Sequence, residues 1–294
     1  MIRTFSIVAA SLLVAQGALA QQQGRDDATW TWSRQLESGA RLTIINPDGP
    51  ITVREASGNT VQVRATKTPR RGSSIRDVAF EVQETGVGVL ICTVYPDQRS
   101  CREDRNNGDR DVHVRVAYEI AIPKSLRLDA TTGNGDVSIE RAGADVHAVT
   151  GNGRVMVGET SGRVDVTTGN GDVTIENANG PVTANSGNGR ITVNTSAGPV
   201  NANTGNGGID VRMKSLVAAD GMSFTSGSGS ISVTLPDDFN GRIDAMTGSG
   251  SLRSDFEISI VGRMNPQHIR GTIGKGGPLL RFVTGSGSIE LRKN

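Results

Sequence analysis

The chain has 294 residues, with 31 lysines and arginines against 30 aspartates and glutamates and a formal net charge of +1. That balance excludes a general polyanion binder, because phosphate backbones are held by concentrated positive charge. Glycine occurs 38 times and aromatics make up 3%; with valine and isoleucine carrying the apolar load and no apolar stripe at helical spacing, a helical bundle is excluded and an all-β protein is predicted.

The opening segment, "MIRTFSIVAASLLVAQGALA", reads as an export leader over residues 1–20. Arg3 supplies the positive end, Phe5–Ala15 the apolar stretch, and Ala18 and Ala20 the small residues before a cleavage point. Its apolar run is shorter than the ~20 residues that span a bilayer. No other stretch is apolar enough to cross. Export places the protein in the periplasm, at the cell surface or outside the cell. Residues 21–39 form a lead segment, where Trp30 and Trp32 read as a structural anchor.

Residues 40–125 read as an irregular β region. "NPDGPITVREASGNTVQVRA" at 46–65 places Gly49 before Ile51 and Val53, and Gly58 before Val61 and Val63. "KTPRRGSSIR" at 67–76 reads as a basic solvated loop. "DVAFEVQETGVGVLICTVY" reads as a hairpin turning near Gly86, and "VHVRVAYEIAIP" as another alternating strand. Between them, Cys92 and Cys101 frame "CTVYPDQRSC". In an exported protein that spacing predicts a disulfide closing a loop. The region is expected to cap a solenoid, whose ends otherwise expose unpaired strand edges.

From residue 126 a repeat takes over. Gly133, Gly151, Gly169, Gly187 and Gly205 each open a Gly-Asn-Gly triplet, 18 residues apart. The unit splits into two nines. The fourth column is glycine in eight of nine copies, the sixth is Val or Ile throughout, the seventh is mostly polar and the eighth is Ile, Val or Ala. Columns six to eight are therefore a short strand with one buried face, and columns two to four a sharp corner. A fixed period over many copies marks a solenoid. Two nines per coil stack each corner about 4.8 Å from the last, and a coil with a third, irregular side is the alternative. The amides of Asn134, Asn152, Asn170, Asn188 and Asn206 then form a ladder, as does the column Thr132, Thr150, Thr168, Ser186 and Thr204. Serine replaces asparagine in later copies, and the spacing there stretches to 22, 21 and 37. "AIPKSLRLDATTGNG" at 121–135 is echoed by "TLPDDFNGRIDAMTGSG" at 234–250.

Calcium-binding nonapeptides need Asp in column six, where this chain has Val or Ile. Asp136 and Asp172 lie one column earlier, alternating with Arg154, Arg163 and Arg190, which reads as a solvated face. The phosphate-loop pattern is missing, "GTIGKGG" at 271–277 being a partial likeness. His113, His147 and His268 are scattered and no GxSxG occurs. No cofactor, metal or catalytic residue is expected.

The repeated "TGNGxVxV", the later "TGSGSIxL", "AIPxxLxLDATTGNGDV" and the ending "GTIGKGGPLLRFVTGSGSIEL" resemble a family of bacterial β-strand-repeat proteins of unknown function, the "putative adhesin" family, related to the auto-transporter adhesin head (GIN) domain. The resemblance covers about 40–294 and implies a β-solenoid without agreed active residues. The expected architecture is a parallel β-solenoid (β-helix or β-roll-like) of 18-residue coils over 126–294, behind a capping region at 40–125. The expected function is a non-enzymatic envelope module for binding, adhesion or scaffolding, meeting an envelope protein or glycan surface and no nucleic acid. The alternatives are an enzyme acting on envelope or extracellular polysaccharide and a fibre-forming protein that self-associates through its solenoid ends.

Overall fold

The computed structural model describes residues 21–70, 72–95, 113–196, 198–216, 221–260 and 265–294. Among these, every regular element is a strand except one 3-10 turn at Ile75–Asp77. The first part holds β1 (Gln21–Gln23), β2 (Thr29–Gln35), β3 (Arg41–Asp48), β4 (Ile51–Glu55), β5 (Thr60–Pro69), β6 (Ala79–Thr85), β7 (Gly88–Val94) and β8 (Val114–Ile122). The repeat supplies β9 (Arg127–Asn134), β10 (Val137–Ala142), β11 (Val146–Asn152), β12 (Val155–Thr160), β13 (Val164–Asn170), β14 (Val173–Ala178), β15 (Val182–Asn188), β16 (Ile191–Thr195), β17 (Val200–Asn206) and β18 (Ile209–Met213). The last part holds β19 (Met222–Ser228), β20 (Ile231–Leu235), β21 (Gly241–Ser249), β22 (Leu252–Ser254), β23 (His268–Ile273), β24 (Leu279–Ser286) and β25 (Ile289–Lys293).

Each nonapeptide of the repeat is one strand, and successive strands alternate between two sheets. Sheet A has 13 strands and sheet B has 12. The coil is therefore two-sided, and its pairing is parallel and in register one period apart: Val146 opposite Val164, Val155 opposite Val173. Columns six and eight point inward and are buried from Val137 to Val211. The core is narrow because sheet A puts Ala148, Ala184 and Ala202 opposite the Val and Ile of sheet B. Next in the alanine column stand Phe224 and Phe282, stacked with centroids 5.1 Å apart. The small side chains of this column thus give way to aromatic ones after β17.

Strand order is where the structure goes beyond the repeat. Sheet A runs β1-β6-β7-β3-β9-β11-β13-β15-β17-β19-β24-β21-β23, and sheet B runs β2-β5-β8-β4-β10-β12-β14-β16-β18-β20-β25-β22. The coil of β24 and β25, last in sequence, slots between β19–β20 and β21–β22. At the other end β3 and β4 form a regular coil against β9 and β10, with Leu42 opposite Leu128 and Ile51 opposite Val137. The chain then leaves and returns through β7 and β8 to build the layers outside it. Antiparallel pairs finish both ends: β2 with β5, β5 with β8, β6 with β7, β1 with β6, and β21 with β23. The sheets run unbroken from β3–β4 into β9–β10, across the boundary expected at 125. The Pro123 and Pro236 echoes occupy equivalent places: each ends a sheet-B strand with a tight turn (Leu126 N–H to Pro123, Phe239 N–H to Pro236) and leads into sheet A.

The corner explains the paired glycines. A Cβ on Gly169 would lie 2.6 Å from the Gly151 carbonyl oxygen, and one on Gly171 would lie 2.0 Å from that of Gly153, at φ +154°. Backbone meets backbone there, and no side chain fits. Gly171→Ala is therefore expected to cost roughly 2–4 kcal/mol. Gly58→Ala, with nothing within 4 Å of the added carbon, is expected to stay within about 0.5 kcal/mol. Denaturant midpoints of the two variants check this, and equal midpoints would refute the corner argument.

Candidate interaction surface

At the first corner the asparagine amides are bonded in series. Nδ2 of Asn152 donates to Oδ1 of Asn134 at 2.8 Å, Asn170 to Asn152 at 2.8 Å, Asn188 to Asn170 at 2.8 Å, and Asn206 to Asn188 at 2.7 Å. All donors point toward the N-terminal end, where Asp48 occupies the same register position on β3. The amides are exposed, so each bond contributes well under the ~1 kcal/mol of a typical protein hydrogen bond. The flanking glycines, Gly133 and Gly151 through Gly205, turn the backbone and bring the amides to strand spacing.

The threonine column satisfies corner backbone groups and does not bond along its own stack. These side chains are buried and donate to the backbone of the facing corner: Thr150 Oγ1 to Gly135 O at 2.8 Å, Thr168 to Gly153 at 2.9 Å, Ser186 to Gly171 at 2.9 Å and Thr204 to Gly189 at 2.9 Å. Thr132, with the parity of Leu128 and Ala130, reaches Gly49 O at 2.8 Å. Inward orientation removes the hydroxyl from water, and the nearest unsatisfied acceptor is a corner carbonyl.

The column-five acids are spent on the lattice as well. Oδ1 of Asp136 accepts the Arg154 N–H at 2.8 Å, and Asp172 accepts that of Arg190 at 2.8 Å. Asp145 does the same for Arg163 at 2.9 Å. Each carboxylate holds the backbone one coil on, and Asp136 also meets the Arg154 guanidinium at 3.5 Å. Ser138 and His147, in column seven, face outward, and His147 stands 3.9 Å from Asp165.

The outer face of sheet A changes character along the roll. Near β9 to β13 it carries Asp129, His147 and Asp165, and β24 brings Arg281. Between them, β15, β17 and β19 present Thr183, Asn185, Asn201, Asn203, Ser223 and Thr225, with no charged side chain. The Asn203 amide donates to Asn185 at 3.1 Å and Asn201 Oδ1 accepts the Ser223 N–H at 3.1 Å, which pre-orders the array. With corner residues Asn188, Asn206 and Ser228 it forms a flat, neutral, hydrogen-bonding surface about 15 Å across at ordinary strand spacing.

Three grooves lie elsewhere among the described residues. One of about 440 Å³ on sheet B holds Glu119 beside Arg54 and Arg64. One of about 490 Å³ holds Asp238 beside Lys214. One of about 320 Å³ holds Asp244 between Arg242 and Arg270. Each offers one acid next to a base, not the two acids that glycoside hydrolysis needs. Among the described residues no cluster of His, Cys, Asp and Glu is suited to a metal, and no helix is long and apolar enough to cross a membrane.

Other sequence-level candidates scatter. Trp30 stacks on Phe80 at 4.7 Å within the core. Cys92 is buried in β7 beside Ile45, Leu90 and Val94, while Cys101 and the leader lie outside the described residues. Lys67 is not part of a solvated loop. It is buried, with Nζ donating to the carbonyls of Gly24, Arg25, Ile75 and Val78 at 2.6, 3.2, 3.0 and 2.5 Å, and 5.3 Å above the Phe80 ring. Burial, helped by Arg25, pulls its pKa down to about 8. The signal was parity, since Val61, Val63, Ala65 and Lys67 share the inward column of β5.

A family profile described as Toastrack DUF4097 matches residues 41–292. No curated protein matches the chain. Among solved structures, a "putative adhesin" from Bacteroides fragilis is 12% identical, with a TM-score of 0.46, and the match covers 91% of this chain and 98% of that one. A "putative adhesin" from Parabacteroides merdae is 9% identical, with a TM-score of 0.44 and coverage of 90% and 97%. A "putative cell adhesion protein" from Clostridium sporogenes is 10% identical, with a TM-score of 0.29 and coverage of 90% and 100%.

Two measurements probe the polar contacts. Lys67→Met removes the ammonium donor that Gly24 O and Val78 O accept from and is expected to cost roughly 2–3 kcal/mol, read from denaturant midpoints; an unchanged midpoint would show the cage is dispensable. At the other end His268 Nε2 lies 2.7 Å from Asp244 Oδ1, with Arg270 3.4 Å from Oδ2. Burial alone would raise the Asp244 carboxyl, but the His268 hydrogen bond and the Arg270 charge outweigh it and hold it below 3.8. A depressed carboxyl stabilises the fold above its unfolded value and loses that contribution as pH falls through the folded one. The stability gap between wild type and Asp244→Asn should therefore be full above about pH 4 and close in stronger acid. A gap independent of pH would contradict the assignment.

Proposed function

The chain belongs to the Toastrack DUF4097 family, and we propose that it acts as an exported, non-enzymatic binding module of the cell envelope whose partner is an uncharged glycan. The observation that carries this reading is the neutral outer face of β15, β17 and β19. A face of hydroxyls and amides at strand spacing matches a polyol chain, which offers donors and acceptors at short repeat and no charge. It gives no electrostatic gain to a charged partner, and the flanking Asp165 and Arg281 mark its limits. Export rests on the leader read in residues 1–20. The non-enzymatic reading draws support from the grooves, whose single acids sit against arginine or lysine, and from Asp136, Asp145 and Asp172, whose carboxylates are engaged by backbone N–H groups. The pairing of Cys92 with Cys101 belongs to the same proposal, since an oxidising compartment favours it.

The array is preorganised, so binding orders few side chains. Weak contacts repeated along a polymer add through avidity. Retention of neutral envelope polysaccharide by the immobilised protein tests the proposal. Thr183→Arg and Thr225→Arg are expected to weaken it at least about tenfold, or ~1.4 kcal/mol. Met156→Arg, on the outer face of sheet B, should leave it unchanged. No retention by the wild type, or equal retention by all three variants, would overturn the assignment.

A further inference from the structure

Among the described residues the two sheets have four terminal edges, and three of them are blunted. β22 is three residues long, and β1 shows three described residues, Gln21–Gln23. β23 is covered by Ser259, which exchanges N–H···O bonds with Thr272 at 2.9 Å in both directions. The fourth edge, β2, has seven residues in unbroken register on β5, from Thr29 opposite Thr66 to Gln35 opposite Thr60. It has no proline, no lysine and no bulge. Its one charge, Arg34, is engaged with Glu84. An undefended strand of this length is a template for another strand.

Alternation shows which groups face outward. The Lys67 N–H bonds Ala28 O, so the even-numbered residues of β2 turn their backbone groups to β5 and Thr29, Thr31, Ser33 and Gln35 turn theirs to the open edge. The even side chains face the core: Trp30 is buried, while Trp32 is half-buried at the end of the apolar interior.

We propose that β2 pairs antiparallel with β2 of a second copy, about a two-fold axis at Trp32. Centred there, Thr31 meets Ser33, Thr29 meets Gln35, and Trp32 meets Trp32 from the core side. Every outward-facing backbone group then finds a mate, as an isologous contact requires. Arg34 comes opposite Trp30 and not opposite a second Arg34, so no like charges face each other. Parity is matched automatically, so the inner faces of the two sheets become continuous and both half-buried tryptophans are covered. A strand from another protein would have to bring that parity and that apolar residue itself. The assembly closes as a dimer, because the C-terminal edges are short or covered.

Sedimentation of the full 294-residue chain, over a wide concentration range, tests the proposal. A dimer is expected. The two tryptophans of the chain both lie on β2, so their emission should shift to the blue as the dimer forms. Thr31→Pro removes an N–H that faces the open edge and leaves the ladder to β5 intact. The pair Thr31→Lys with Ser33→Lys sets like charges opposite each other on exposed positions. Both should be monomers with unchanged far-ultraviolet dichroism. A wild type that stays monomeric, a dimer that survives in both variants, or open-ended oligomers would each overturn the proposal. Glycan retention is scored separately on sheet A, so failure here leaves that reading untouched.

Discussion

The roll depends on how closely two backbones pass at its corners. Across the coils, a Cβ at the corner glycines would come within 2.0–2.6 Å of the carbonyl below, so only glycine permits the stacking. Once that approach is allowed, the rest follows from translation by one strand spacing. Asparagine between the glycines lands on asparagine, and its amide finds an amide. The threonine before them continues the inward parity and reaches the facing corner. The column-five acid meets a backbone N–H one coil on. Three polar columns are thus satisfied by repetition, which is why a corner with no apolar packing can be stable.

Translation has a cost at the ends, where the lattice runs out of partners. The protein departs from its repeat there. At both ends a coil is inserted out of sequence order, and antiparallel strands close the layers beyond it. Lys67 fits this logic, because one ammonium group serves several carbonyls where the regular ladder stops. Desolvation opposes its charge, and four carbonyl oxygens at hydrogen-bond distance offset that cost.

The same translation shapes the functional reading. A surface made by repeating one coil presents its outward side chains in register, one strand spacing apart. What varies is the outward column, and it varies in blocks: charged near β9 to β13, neutral over β15 to β19, charged again at β24. A neutral block inside a charged rod is information the fold does not require, since Arg or Asp would be tolerated at Thr183 or Asn201 as they are at Asp165 and Arg281.

The period of 18, the Val and Ile columns and the Gly-Asn-Gly corner determined by themselves that this is a parallel solenoid, which strand face is buried and that asparagines stack, because those features act between neighbours one period apart. The inward parity of Lys67 was written in "TVQVRATK" but was masked by the basic residues that follow it. The two-sided cross-section, the burial of Thr150 and its mates, and the neutral block on sheet A needed coordinates, because they depend on how the two nines face each other across the core. The insertion of β24–β25 between older layers, and the open edge left at β2 among the described residues, were decided by tertiary structure alone. An 18-residue match scores every pair of coils alike, and only closure of the ends distinguishes which coil stacks on which.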